Sequence, residues 1–230
     1  MITLLGVGHV FDIKARVREE ILHRGPEVVG LELDPDRLHA LSNRNAPREG
    51  PILYRLMAGF QGRIAESYGG QVGDEMLAAA KAAQDVGAKV ALIDIDSRDL
   101  IGRLWSAITF EERIKLFVSA ISALFIRKSS VEREIQHYEA DQKAYLDEFS
   151  RQFPTVKRIL IDERDAHMAK ALRELGKQHE RVVAVVGDGH VEGLRALLAD
   201  LPLDVVRLNE LRKPAAMTTS EFSYSFSSRG

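Results

Sequence analysis

His9 and His190 each close a Gly-x-x-His turn that follows an apolar run, Ile2-Thr3-Leu4-Leu5-Gly6-Val7-Gly8-His9 near one end and Val182-Val183-Ala184-Val185-Val186-Gly187-Asp188-Gly189-His190 near the other. Short apolar, β-branched runs read as buried strands, and a histidine just beyond such a run tops the sheet. In α/β folds the carboxyl ends of parallel strands form the ligand crevice, so two imidazoles far apart in sequence can share one site. Glu32, Arg164 and Asp165 fall at similar element ends. Two imidazoles and a carboxylate (His9, His190 and Glu32) can hold a divalent transition metal, whose bound water ionises near neutral pH, with Arg164 stabilising a developing oxyanion. The same residues support a metal-free alternative, in which one histidine is a general base oriented by Glu32 while Arg164 binds an anionic or carbonyl group. The chain has no His-Glu-x-x-His helix, so a metal site must be assembled from distant strands.

Each of these residues also has a plainer reading. Glu32 could cap the helix that follows its strand. Arg164 lies within Ile161-Asp162-Glu163-Arg164-Asp165-Ala166-His167, whose alternating charges ordinarily mark a solvated helix face. His23, His39, His137 and His179 sit among charged residues and read as surface, while His167 shares a helix face with Glu163. Asp188 is either a further ligand or a turn residue, with the turn reading favoured. Asp94 and Asp96, after a third strand, reach the crevice edge.

The elements that must position this set follow from periodicity. A first strand from Ile2 leads to an amphipathic helix over Asp12 to Arg24, stopped by Gly25-Pro26. A second strand, Val28 to Leu33, completes a β-α-β unit, and Asp34-Pro35-Asp36 starts a helix through about Leu41. Helices over Pro51 to Tyr68 and Gly73 to Val86 precede a third strand, Ala88 to Asp94. Helical periodicity alone then runs over Leu100 to Ile108, Glu111 to Ile126, Val131 to Phe149 and Thr155 to Leu175. The sheet resumes with Arg181 to Val186, a helix Val191 to Ala199 and a last strand Pro202 to Leu208. This order predicts an α/β fold with a central, mainly parallel sheet flanked by helices: one domain over residues 1–212, with a helical insertion at about 98–176. Residues 213–230 read as a flexible tail, although Phe222, Tyr224 and Phe226 alternate with serines as an edge strand would.

At 230 residues and 45% apolar content the chain can bury one substantial core. A net charge of −2 gives no general attraction to nucleic acid or acidic lipid. The absence of cysteine excludes disulfides, thiolate metal sites and a cysteine nucleophile. The amino terminus lacks the basic region of a signal peptide, and the apolar stretch Ile114 to Ile126 falls short of the roughly 20 residues that span a bilayer. No transmembrane helix is expected, and the expected location is cytoplasmic, with any membrane association made through a partner or a segment outside this chain.

Taken in order, Leu5-Gly6-Val7-Gly8-His9-Val10, Val29-Gly30-Leu31-Glu32-Leu33-Asp34, Asp162-Glu163-Arg164-Asp165 with Met168-Ala169, and Val185-Val186-Gly187-Asp188-Gly189-His190-Val191 resemble the TraB/PrgY family, within the broader TraB, PrgY, GumN and Tiki group. Leu92-Ile93-Asp94-Ile95-Asp96 running into Arg103-Leu104-Trp105 is similar to the family segment in which an Asp-Arg pair follows the third strand, but Ile95 stands where the arginine is expected. The resemblance implies a fold similar to erythromycin esterase and the haem-associated ChaN proteins. It carries site roles to His9, Glu32, Arg164 and His190, with Asp165 beside them for substrate. Tiki relatives are described as metal-dependent peptidases that trim an amino terminus, and PrgY relatives are linked to shutdown of a peptide pheromone. Many relatives are longer, with membrane segments after the soluble domain, so this chain reads as a soluble member or the soluble part of a longer protein.

These readings predict a metal-dependent hydrolase using manganese, cobalt or zinc, acting as a peptidase on peptides or protein amino termini. Two alternatives stand beside it: a non-catalytic protein that sequesters a peptide or small anionic ligand in the same crevice, and a metal-independent histidine-base esterase. A homodimer formed through the helical block around Trp105 and Phe117 is a further expectation.

Overall fold

The computed structural model describes residues 1–8, 11–43, 73–123 and 142–213. His9, His137, the helix expected over Pro51 to Tyr68, the first part of the Val131 to Phe149 helix and the tail beyond residue 213 lie outside the described residues. Strands β1 (Ile2–Val7), β2 (Val28–Leu31), β3 (Lys89–Leu92), β4 (Val182–Gly187) and β5 (Leu203–Val206) form one sheet in the order β3-β2-β4-β1-β5. Every pair is parallel. The α/β class read from the sequence is the class observed.

The strands read as near-continuous apolar runs because helices cover both faces of the sheet. Successive side chains alternate between the two sides. On β4, Val183 and Val185 enter one core with Leu5 and Val7, whereas Val182, Ala184 and Val186 enter the other with Ile2 and Leu4. The first core is closed by α1 (Lys14–Arg24), which buries Val17 and Ile21, and by Met76, Ala79, Ala82 and Ala83 of α3 (Asp74–Asp85). Gly25 ends α1 in the left-handed conformation at φ 52°, its N–H returning to Ile21 O. The second core is closed by Met168 and Leu172 of α8 (Glu163–Gln178) and by Val191 and Leu194 of α9 (Asp188–Leu197).

The β1-α1-β2 unit is present, but its strands are not neighbours: β4 lies between them, paired to both. No local pattern encodes this insertion, and it brings the end of β4 beside the end of β2. The remaining helices are α2 (Pro35–Ser42), α4 (Ser97–Ala107), α5 (Phe110–Ala123), α6 (Gln142–Gln152), α7 (Pro154–Lys157) and α10 (Leu208–Leu211). From α4 to α8 the described chain is helical, as expected. The long helix read from Thr155 is broken, however: α7 runs into a π-helical turn, Arg158–Asp162, directly ahead of α8. The helix expected from Val191 starts at Asp188, so Asp188 is a helical residue and not a turn residue. The last strand ends at Val206 and is followed by α10, which the sequence reading took as strand to Leu208. Among the described residues no helix is long and apolar enough to cross a membrane.

Candidate functional site

Four elements meet at the carboxyl edge of the sheet. Glu32 follows β2, and its N–H donates to Val185 O of β4 at 3.1 Å, which keeps its side chain at the sheet edge. Arg164 and Asp165 lie in the first turn of α8, just after the π-helical turn. His190 lies in the first turn of α9, which β4 feeds directly. Asp94 follows β3, its backbone N–H donating to Leu33 O.

Glu32 is 4% exposed. It accepts from Arg164 Nη2 through Oε1 and from the Gly187 N–H through Oε2. The helix-capping role that competed for Glu32 belongs to Asp34, which accepts from the Arg37 N–H at 2.9 Å. Arg164 is half enclosed by acids: Nε donates to Asp94 Oδ1 at 3.0 Å and Nη2 to Asp94 Oδ2 at 2.6 Å, while Nη1 donates to Leu160 O at 3.2 Å. Of its five N–H donors, one on Nη1 has no partner among the described residues. The solvated charged face expected around Arg164 therefore does not form at this position, because α8 turns it inward.

His190 is 7% exposed. Its Nδ1 donates to Asp165 Oδ1 at 2.6 Å, and its Nε2 faces Glu32 Oε1 at 3.4 Å. Burial alone would lower the imidazole pKa, but the Glu32 and Asp165 carboxylates more than reverse this and push it up to about 9. Burial raises Asp165 above the usual carboxylate range, and the bond to His190 offsets only part of that. For Asp94, burial acts upward but is overcome by the hydrogen bond and charge of Arg164 and the charge of Arg37, leaving it below its ordinary value. Arg164 is held protonated despite burial by Glu32 and Asp94.

The structure thus brings together Glu32, Arg164, Asp165 and His190, while His9 lies outside the described residues. Its strand is in place: Val7, two residues before it, pairs in register with Gly187. Asp94 joins the set as anticipated, whereas Asp96 caps α4 by accepting from the Arg98 N–H. Of the surface histidines, His23 and His39 are exposed and His179 faces Glu27 Oε2 at 3.6 Å; His167 is exposed and takes no part in the site. Sequence reasoning missed Arg37, which bonds Asp34 Oδ2 at 2.7 Å and also reaches Asp94. Its signal was the three-residue spacing from the helix cap Asp34. It named Asp188 but missed its pairing with Arg207, whose Nε and Nη2 donate to the two carboxylate oxygens, both at 2.8 Å, and its packing over Gly6. A Cβ at Gly6 would overlap Asp188 Oδ1 and lie 2.9 Å from Val191 Cγ2, so the first glycine of the first Gly-x-x-His turn admits this helix. Gly193 does the same for Asp165, one turn beyond His190.

Among the described residues no three His, Asp or Glu side chains converge as a metal-holding group. The donor pair Glu32 Oε1 and His190 Nε2 nonetheless fits such a group. Two ligands at ~2.0–2.1 Å on a tetrahedral ion lie ~3.3–3.4 Å apart, and this pair is 3.4 Å apart. Asp165 on the other ring nitrogen is the carboxylate that metal-ligating histidines ordinarily carry.

The sequence profile of the TraB/PrgY/gumN family matches residues 1–202. The chain belongs to this family. It is also 33% identical over 233 aligned positions to an uncharacterized protein of Methanocaldococcus jannaschii, with 92% of this chain aligned. The chain spans 58% of that relative's length. In this TraB-family chain Ile95, at the position where the sequence resemblance led us to expect an arginine, donates its N–H to Asp94 Oδ1 at 2.8 Å. The cations at Asp94 come instead from Arg37 and Arg164.

Proposed function

We propose that this TraB-family domain is a metal-dependent hydrolase acting on peptides or protein amino termini, with His9, Glu32 and His190 as ligands for manganese, cobalt or zinc. The observation that carries the reading is the His190 imidazole, fixed on Nδ1 by Asp165 with Nε2 aimed at Glu32. When bound, the ion would polarise a carbonyl and supply hydroxide at neutral pH.

The chain's own residues set the rest. Asp165 fixes the ring orientation and, in its ionised form, raises ligand basicity. To serve as a ligand, His190 must release its Nε2 proton, and its pKa near 9 makes that competition strongest at low pH. Arg164 offers its remaining Nη1 donor to a carbonyl or tetrahedral oxygen, while Asp94 and Glu32 hold the guanidinium so that it need not reorganise. Asp165, expected to contact substrate, acts in this reading through His190.

Elemental analysis of the purified chain by inductively coupled plasma mass spectrometry tests the reading. Near-stoichiometric metal in the wild type, lost in His190→Ala and in Glu32→Ala, is the expected result, followed by cleavage in a peptide panel read by mass spectrometry. Metal-free protein after incubation with manganese, cobalt and zinc overturns the metal, and a peptide that binds tightly but returns unaltered favours sequestration over hydrolysis.

A further inference from the structure

Arg164 grips Asp94 with two N–H groups while a third reaches Glu32, so one guanidinium is stretched between two buried acids. We propose that Arg37 of α2 is the positioning residue that lets Arg164 hold both at once. This role rests on the one given to Arg164 above, and its test needs neither metal nor substrate.

Local structure aims the side chain. Asp34 starts α2, its Oδ1 accepting from the Arg37 N–H at 2.9 Å, and a helix cap requires no more than this. Its Oδ2 also accepts from Arg37 Nε at 2.7 Å and from the Ser97 N–H at 3.1 Å, so the stem of Arg37 is anchored to the start of α4 as well. Strands β2 and β3 are paired, with Leu31 opposite Leu92, which puts the first turn of α2 beside the chain leaving β3. From there Arg37 Nη2 donates to Asp94 Oδ2, 57 positions away in sequence.

The Asp94 carboxylate is thereby saturated. An ionised carboxylate offers about four lone-pair positions. On Asp94, Oδ1 accepts from Arg164 Nε and the Ile95 N–H, and Oδ2 accepts from Arg164 Nη2 and Arg37 Nη2. With every position taken the carboxylate cannot rotate, and its two oxygens stay in the plane that the fork of Arg164 requires.

Charge points the same way. The side chains of Glu32 and Asp94 are buried, and Arg164 alone between them leaves one negative charge in excess, which is costly where water is excluded. Arg37 supplies the second cation from the solvent side, where its 26% exposed side chain stays partly hydrated. Without it the excess charge on Asp94 faces Glu32, and the guanidinium of Arg164 resettles between the two acids, turning its Nη1 donor. Arg98 provides the contrast: it also joins α2 to α4, bonding Asp36 at 2.7 Å, but it is 76% exposed and its carboxylate partners are Asp36 and Asp96.

The Nε–H proton of Arg164 reads the clamp in proton–nitrogen correlation spectra of the metal-free protein, its resonance assigned by its absence in Arg164→Lys. In Arg37→Gln it should shift and exchange with solvent about tenfold faster than in the wild type, the equivalent of one charge-assisted hydrogen bond. Arg37→Lys, which restores the cation, should recover most of the protection, and Arg98→Gln should leave it unchanged. Should Arg37→Gln fail to fold, Asp34→Asn takes its place: it keeps the cap oxygen, releases Arg37 Nε and should move the same proton in the same direction. An Arg164 proton as protected in the folded variant as in the wild type overturns the proposal. Equal loss in the Arg37→Gln, Arg37→Lys and Arg98→Gln proteins overturns it too, since the cause is then a general loosening where α2 meets α4.

Discussion

Adding one methyl group at Gly193 separates the packing around His190 from ordinary helix propensity. In the middle of a solvated helix, Gly→Ala stabilises by ~0.5–1 kcal/mol. Gly193 lies inside α9, but a Cβ there would overlap Asp165 Oδ2 and lie 2.8 Å from its Cγ. Asp165 can yield only by swinging away from His190 Nδ1, and a hydrogen bond between such charged groups contributes ~1.5–3 kcal/mol. Overpacking of this kind costs ~1–3 kcal/mol where the neighbour stays. Either route exceeds the propensity gain, so Gly193→Ala should destabilise by about 1–2 kcal/mol in urea unfolding. Gly102, inside α4, has nothing within 4 Å of the same hypothetical atom, so Gly102→Ala should stabilise by ~0.5–1 kcal/mol and serves as the control. Histidine proton resonances followed against pH in the metal-free protein supply the second readout. If Asp165 is displaced, the His190 pKa should fall from about 9. A Gly193→Ala protein as stable as wild type, with His190 titrating unchanged, would refute the argument that this glycine exists to seat Asp165.

Arg164→Ala leaves Glu32 and Asp94 buried with one guanidinium fewer, a loss of ~3–5 kcal/mol in denaturant midpoint experiments; a change below ~1 kcal/mol would mean the network is not energetically coupled. The metal-free protein should lose stability as pH rises: the His190 contribution, about 3 kcal/mol, is fully present below pH 6.5 and is lost as pH rises through about 9, with Glu32 and Asp165 favouring the imidazolium and Arg164 opposing it. His190→Gln should flatten that slope, and a wild-type curve level from pH 6.5 to 9.5 contradicts the assignment. Asp94 has the opposite sign, since its depressed pKa gives stability present above about pH 4 and lost as pH falls further; Asp94→Asn should narrow the difference in stability between pH 6 and pH 3. Gly6→Ala should cost ~1–3 kcal/mol by pressing on Asp188 and Val191, with relief in the Asp188→Ala background as the diagnostic double-variant result.

The residue pattern by itself determined the local elements and the edge at which chemistry gathers. Apolar runs closed by glycine, a Pro-started helix after Asp34 and a Gly25 stop are short-range signals, and each acts through its own backbone or its immediate neighbours. That is why Glu32, Arg164, Asp165 and His190 were legible as candidates. Their arrangement came from long-range pairing. The insertion of β4 between β1 and β2 sets His190 against Glu32, although 158 positions separate them. A sequence pattern encodes which strands are buried but not which buried strands adjoin, because every central parallel strand presents the same apolar surface to its neighbours. Local charge alternation likewise described α8 as solvated, and only the packing of its first turn against the ends of β2 and β3 turned Arg164 onto Glu32 and Asp94. Arg37, Asp188 and Gly193 belong to the same class: their partners are fixed in space by elements remote in sequence.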